Sequence, residues 1–519
     1  GKGEAVAVLG IPGPGMIINQ KAHGFNVEVL QGSIDHRGRE VARLQRGEVR
    51  AVLKKQLQAG NTALAVVGKF SHRNPLHELQ VEELANTLTD KFQYITLGHR
   101  LSGMPNFPRR LATSYLNAGV QKQHNAFATM VEELLIQGKA LDNVHFLKAD
   151  GGTMTLAESR LRPVETIQSG PAASIMGARA LMGHRTDNVV IIDIGGTTTD
   201  IAVQVEGEPV FARQGAEIAG HKTLVPALYS YSMGLGGDSQ IKVIRNTSPE
   251  GRGLSGKDWL LEIGPKRAGA PRALGGDMVT PTDAAMVLGL AALGDESRAF
   301  AGLSELGSQV GLDAKEMARA IIDTFVANLK SAVEQVYNYL ESRPVYTIWE
   351  LLEDKDIRPR AVVALGGPAK AFIPLLADDM GIGFEVLPHH QEANAVGAAA
   401  SRPTSAVTLH ADTQLGTIAI PEMDYTGKLT RPFFYDLKKA RAEAVNWAMK
   451  RAEGLGITNP EDITIVEEES FNLVRDFRTT GRIFTIRAQV RPGVSRIEKG
   501  TAKDNYTGES RSGGDNHGY

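Results

Sequence analysis

The chain has 519 residues, too many for one compact core, so it is expected to divide into two to four domains. Hydrophobic content of 42%, charged content of 22% and a net charge of −2 are ordinary for a folded chain and remove any global pull toward nucleic acid or an anionic membrane. With no cysteine the chain has no disulfide framework and no thiolate metal site, which fits a cytoplasmic location, and no apolar run approaches the roughly 18 residues of a membrane span.

A first lobe is expected over residues 1–178, where buried strands alternate with amphipathic helices. Apolar runs at 5–10, 62–68 and 94–97 read as strands. The first ends at a turn holding Pro12, Gly13, Pro14 and Gly15, which suits either a rigid corner or a ligand-facing loop. Helices are predicted over 48–59, 78–92 and 111–137, the last because apolar residues recur at three and four positions over many turns. Strands alternating with helices argue for βαβ units and a largely parallel sheet.

A second lobe is expected over 179–404. It opens with a strand at 188–193 and an antiparallel partner at 201–205. Helices at 283–293 and 314–340, the latter capped near Asp313, form a helical insert of about 284–340. A buried strand at 361–365 runs into Gly366-Gly367, followed by a helix over 370–379. After about residue 405, half-exposed strands and a charged helix over 435–453 suggest a small α+β C-terminal domain reaching to 494. Residues 495–519 are rich in Gly, Ser and charge and read as a disordered tail.

The central motif is Asp193-Ile194-Gly195-Gly196-Thr197-Thr198-Thr199-Asp200, at the end of an aliphatic strand. Gly195 and Gly196 let the backbone turn tightly and present N–H groups to an anion, and Thr197, Thr198 and Thr199 add hydroxyl donors for phosphate. The carboxylates of Asp193 and Asp200 repel phosphate. They suit outer ligands of a Mg2+ ion or its waters, or a base for an attacking water. A plain β-hairpin with a Gly-Gly turn is the bland alternative, but it explains neither the flanking Asp pair nor three successive Thr. Gly234-Leu235-Gly236-Gly237-Asp238-Ser239 reads as a second flexible loop, with Gly236 and Gly237 offering N–H groups and Asp238 available to a metal. Asp283 at the start of a predicted helix reads as a plain N-cap. His389-His390 reads as a solvent-facing pair, since adjacent side chains project in different directions.

These motifs match neither a Walker loop nor a dinucleotide fingerprint. The Asp193 loop resembles the phosphate motif of the superfamily of actin, sugar kinases and heat-shock chaperones. On that resemblance Gly366-Gly367 takes the adenosine position, and Ser169-Gly170-Pro171-Ala172-Ala173-Ser174-Ile175-Met176-Gly177-Ala178 and Glu392-Ala393-Asn394-Ala395-Val396-Gly397-Ala398-Ala399-Ala400 take those of two crossing helices. Phe70-Ser71-His72-Arg73-Asn74-Pro75-Leu76-His77-Glu78, Ala112 to Ala118, Pro163 to Ala173, Ile263-Gly264-Pro265 and Thr280 to Ala284 narrow it further. Together with the Asp193 and Gly234 loops they resemble, in order, segments of the hydantoinase A/5-oxoprolinase family.

The resemblance implies a two-lobed, actin-like (ribonuclease H-like) α/β ATPase fold with a helical insert, ATP and Mg2+ as cofactors, and phosphorylation of a carbonyl oxygen. The expected function is activation of a small cyclic amide or related carbonyl compound for hydrolysis or carboxylation. A second enzyme subunit and an oligomeric state are expected, with neither nucleic acid nor membrane as partner. A nucleotide-driven activator or reactivase and a sugar-kinase-like phosphotransferase are the alternatives. Three features depart from the family. Its additional N-terminal phosphate motif has no counterpart in residues 1–60; because the chain opens at Gly1-Lys2-Gly3 without Met, the expectation is that this loop was removed. Residues 264–276 lack the family's Cys-Tyr, and the region after Ser405 is shorter than the family's C-terminal half.

Overall fold

The computed structural model describes residues 3–18, 24–136, 144–212, 215–245, 259–342, 356–457 and 463–495. The tail expected from 495 lies, beyond Ser495 itself, outside these residues.

The first sheet is parallel and four-stranded. Strand β1 (Val6–Ile11) lies between β2 (Glu28–Val29) and β3 (Ala63–Gly68), and β4 (Tyr94–Leu97) pairs with β3. Its central strands are apolar on both faces because both are covered, as parallel sheets require. Leu9, Leu64 and Val66 pack beneath helices α1 (Arg46–Gln58) and α2 (Leu76–Asn86). Val8, Ala65 and Val67 point the other way, onto Phe107 and Leu111 of the long helix α3 (Phe107–Ile136). Helix α2 stops at Asn86 rather than continuing to 92, and the Thr87 hydroxyl that follows donates back to the Leu84 carbonyl (2.7 Å), satisfying a helix-end carbonyl.

The second sheet repeats this logic around β5 (Val189–Ile194). Strand β5 pairs antiparallel with β6 (Thr199–Val205) and parallel with the later β11 (Ala361–Leu365). The short β7 (Glu208–Pro209) and β8 (Ser230–Met233) both pair with β6, and β12 (Gly383–Val386) extends the far edge. A separate hairpin, β9 (Ser239–Arg245) with β10 (Trp259–Arg267), follows β8. On one face Val190, Ile192, Val362 and Ala364 pack against α5 (Pro281–Val287), α6 (Glu296–Ser308), α7 (Ala314–Glu341) and α8 (Ala369–Met380). Helix α5 ends at Val287, so the helix predicted to 293 is cut short, and Gly289 and Gly294 take positive φ in the turns that follow. On the other face Val189, Ile191, Val363 and Leu365 pack against α4 (Ser169–Met182) and Ala393 of α9 (Ala393–Ala400).

Helices α4 and α9 cross almost in backbone contact. A Cβ on Gly177 would collide with the Ala393 carbonyl, and one on Gly397 with the Ala173 carbonyl, so only glycine permits the crossing.

The third sheet is antiparallel, in the order β15 (Tyr425–Lys428), β14 (Thr417–Ile420), β13 (Ala406–Asp412), β17 (Arg478–Val490), β16 (Ile463–Arg475). Helix α10 (Leu437–Gly454) lays Ala440, Ala444 and Ala448 on its inner face. Buried charges tie this sheet to the first. His99 donates from Nδ1 to Glu78 (2.5 Å) and from Nε2 to Asp424 (2.7 Å), and Arg37 grips Asp412 through two hydrogen bonds of 2.8 Å. Among the described residues no helix is long and apolar enough to cross a membrane.

Candidate functional site

The β5–β6 hairpin sets the site. Its register places Asp193 directly opposite Asp200, and between them Gly195 donates its N–H to the Thr198 carbonyl (2.9 Å) to close the turn. Thr197 and Thr198 are exposed at the turn, where their hydroxyls can meet an anion. Thr199 does not serve as the sequence suggested. It is fully buried and donates its hydroxyl to the Leu235 carbonyl (2.6 Å), because strand alternation turns it inward once β6 begins.

Two other loops that the sequence marked separately are stitched to this turn. Gly237 and Asp238 donate their N–H groups to the carbonyls of Gly195 (3.0 Å) and Gly196 (2.7 Å). Thr282, at the start of α5, donates both N–H (3.0 Å) and hydroxyl (2.8 Å) to the Gly237 carbonyl. From the other side Gly366, with φ +87°, lies so close that a Cβ would collide with the Ile194 carbonyl and sit 2.7 Å from Asp193 Oδ1. Only glycine can stand there. Gly367 beside it faces open space.

His390 corrects the reading of its pair. His389 is exposed at φ +54°, but His390 is buried, accepts the Gly366 N–H at its carbonyl (2.9 Å) and donates from Nδ1 to the Gly366 carbonyl (2.7 Å). It clamps the glycine loop. Asp283 is likewise not the N-cap. Thr280 caps α5, and Asp283 is the third residue of a capping box, fully buried and also accepting N–H bonds from Arg272 (3.0 Å) and Ala273 (2.8 Å). Asp238, expected free for metal, has Oδ2 held by Arg267 at 2.8 Å.

The electrostatics single out Asp200. Burial raises its pKa and the neighbouring Asp193 charge raises it further, against a hydrogen bond with Ser232. Its Oδ1 is buried without a hydrogen-bond partner, an unmet acceptor that calls for a donor or cation. Among the described residues no group of three or more acidic or imidazole side chains forms a self-sufficient metal cage. The oxygen-only surroundings of Asp193 and Asp200 instead suit a hard cation completed by nucleotide phosphates and water.

Ser174 and Asn394 went unnoticed as site residues. The Ser174 hydroxyl, on α4, lies 2.6 Å from Asp193 Oδ2 and 2.8 Å from the Asn394 amide of α9. The available signal was spacing, since each stands three residues before the glycine of its crossing, Gly177 or Gly397. A cavity of about 870 Å³ opens along β8, with Gln168, Lys222, Ser230, Tyr231, Gln335 and Tyr339 in its wall, and none of the three loops lines it.

The family model described as Hydantoinase/oxoprolinase matches residues 110–407, and that of the Hydantoinase/oxoprolinase N-terminal region matches 16–89. Caprolactamase subunit alpha of Pseudomonas jessenii is 24% identical over 368 residues, covering 69% of this chain and 50% of that protein. The 5-oxoprolinase 1 of Arabidopsis thaliana is 28% identical over 369 residues, covering 66% of this chain and 27% of its own length. The chain therefore spans half or less of the length of these two relatives. The crystal structure of the ATP-dependent caprolactamase from Pseudomonas jessenii superposes with a TM-score of 0.66 at 18% identity, over 96% of this chain and 77% of that one, so the two share their fold.

Proposed function

This chain belongs to the hydantoinase/oxoprolinase family, and from that premise we propose that it uses ATP to activate the carbonyl of a small cyclic amide or related carbonyl compound for hydrolysis or carboxylation. One observation carries the proposal: the loops at Asp193–Asp200, Gly234–Ser239 and Gly366–Pro368, up to 175 positions apart in sequence, are hydrogen-bonded or packed into one surface around two facing carboxylates. Gly196, Thr197 and Thr198 supply phosphate donors, Gly195 closes their turn, Gly236 and Gly237 brace it, and Gly367 beside the packed Gly366 leaves room for the nucleoside.

On this reading ATP would supply the phosphoryl group, its terminal phosphorus open to attack by the carbonyl or enolate oxygen. The bond to ADP would break; the phosphorylated amide would be open to water at its carbonyl carbon, and a phosphorylated enol would release phosphate as its carbon adds to the carboxyl donor. Asp200, its pKa raised by burial and by Asp193, suits the orientation or deprotonation of the attacking group. Asp193 would hold Mg2+ through water, with the Asp200 Oδ1 as second acceptor, and the ion would supply charge neutralisation on the phosphates. Asp238 is the weaker candidate, since Arg267 already neutralises it.

A second subunit completing the enzyme, an oligomeric assembly and a cytoplasmic setting belong to the same reading. So does the division into lobes at 1–178 and 179–404 and a C-terminal domain at 405–494. The test is ATP hydrolysis by the full-length protein with its partner subunit, assayed with 5-oxoproline, hydantoin, a lactam and ketones. Turnover that rises with one of these supports the proposal. ATP turnover indifferent to all of them would instead indicate a nucleotide-driven activator, and a persistent phosphorylated product would indicate a kinase.

A further inference from the structure

The Asp193 carboxylate is held from both sides by parts of the molecule that the phosphate loop itself does not include. Its Oδ1 faces Gly366 so closely that a methyl group there would sit 2.7 Å away. Its Oδ2 receives the Ser174 hydroxyl at 2.6 Å. Ser174 is buried at the crossing of α4 and α9, and Asn394 approaches the same hydroxyl at 2.8 Å from the other helix. A serine hydroxyl carries one proton. The charged carboxylate at the shorter distance takes it, and the Asn394 Oδ1 is a second acceptor 2.8 Å from the same hydroxyl. The Gly170 carbonyl, 3.3 Å from the hydroxyl, is left the weaker contact. The Ser174 hydroxyl thus stands between Asp193 and Asn394, within hydrogen-bond distance of both.

The placement is symmetric. Ser174 precedes Gly177 by three residues, and Asn394 precedes Gly397 by three, so each side chain sits one turn from the point where its helix touches the other. Any change in the crossing of the two helices moves Ser174 against Asn394, and with it the direction in which Asp193 presents its remaining lone pairs.

We propose that Ser174 and Asn394 are positioning residues that aim the Asp193 carboxylate and tie it to the crossing of the two helices, so that phosphate binding at the loop and the relative placement of the helices are coupled. The inference rests on the reading of Asp193 as part of the nucleotide site. Neither residue contacts the nucleotide on this account; both act through Asp193. Their removal therefore changes how well the bound nucleotide reacts more than how tightly it binds.

The test uses the full chain, with its partner subunit, in the ATP turnover assay. Ser174→Ala and Asn394→Ala are each expected to lower kcat about 10-fold, the order seen when an outer-shell orienting group is lost, with KM for ATP changed by less than about 2-fold. The double variant is expected to be no slower than the slower single one, because both residues act on one carboxylate. Asn394 is exposed, so Asn394→Ala keeps the test open if Ser174→Ala fails to fold. Unchanged kcat in both folded variants, losses that multiply in the double variant, or a loss of kcat that vanishes on cooling together with a lowered Tm would overturn the proposal. Asp193→Asn separates the two levels. If it keeps full turnover, the nucleotide-site reading itself fails; if it is inactive while Ser174→Ala and Asn394→Ala are unaffected, only the positioning role fails.

Discussion

Two places in this molecule join segments that are far apart in sequence, and they do so by opposite means. Around Asp193 the joints are backbone groups and missing side chains: carbonyls of Gly195, Gly196 and Gly237 accept hydrogen bonds, and Gly366 lies where no Cβ fits. Between the first and third sheets the joints are charged pairs, buried at Glu78 and His99 and part-exposed at Arg100 and Asp424. Glu78 is fully buried and accepts N–H bonds from Gly68 (2.7 Å) and His99 (3.0 Å) as well as the His99 ring, whose other nitrogen reaches Asp424. Arg100 adds an ion pair to Asp424 at 2.9 Å and one to Glu82 at 2.7 Å. The contrast has a physical basis. A surface that receives an anion must keep N–H groups and hydroxyls free of a permanent counter-charge. A junction that stays closed satisfies every charge internally, because an unpaired buried charge is strongly destabilising.

The comparison can be broken most forcefully at the junction. Glu78→Gln leaves the buried imidazolium of His99 short of its nearest carboxylate and should lower unfolding stability by about 3 kcal/mol. Denaturant unfolding measures it, and the nucleotide affinity of the remaining folded protein should stay put if the two regions are independent. Asp193→Asn should do the reverse, reducing ATP turnover about 100-fold, or roughly 2.7 kcal/mol of barrier, with an unchanged melting temperature. A coincident loss of stability would show that the loop is a structural joint as well. Gly366→Ala sits between these cases. It forces a Cβ toward the Ile194 carbonyl at a positive φ, and should cost about 2 kcal/mol of stability together with nucleotide binding.

The junction also carries a pH signature near neutrality, where Asp200 of the loop, an acid, does not contribute. Burial pulls the His99 imidazole down, but Glu78 and Asp424 outweigh it and raise it from 6.5 to about 8. A folded-state value above the unfolded one means that this contribution is complete below pH 6.5 and disappears as pH rises through 8. It amounts to about 2 kcal/mol. His72 and His410 behave oppositely. Burial lowers both, His410 to about 3, so their contribution is present above pH 6.5 and is lost as pH falls below it. Thermal melts across pH 5 to 9 should therefore peak near pH 6.5 and fall between 6.5 and 8, and His99→Gln should flatten the alkaline limb while leaving the acid one. The smallest effect is expected from the exposed pair Arg46–Glu83, 3.0 Å apart on the surface, where Arg46→Ala should leave the unfolding midpoint unmoved.

Much of the site was legible in the chain. Asp193 and Asp200 face each other because an eight-residue hairpin leaves little other choice, and the Gly366 loop follows an apolar strand whose covered faces the hydrophobic pattern announces. The crossing helices were legible from their small residues. What could not be read was which side chain turns where. Thr199 stands beside two exposed threonines and differs from them only in lying on the strand, where alternation buries it. Asp238 looked available because Arg267, its partner 29 positions on, becomes a neighbour only when the β9–β10 hairpin folds back.

Sequence by itself thus determined a glycine-rich loop with paired carboxylates, in a chain of the hydantoinase/oxoprolinase family. Tertiary structure decided who holds that loop in place. Ser174 and Asn394 are 220 positions apart, and His390 reaches back 24 positions to Gly366. Local pattern reports propensity and periodicity, which act over a turn or a strand, whereas a hydrogen bond between distant residues exists only after the sheets and helices have packed.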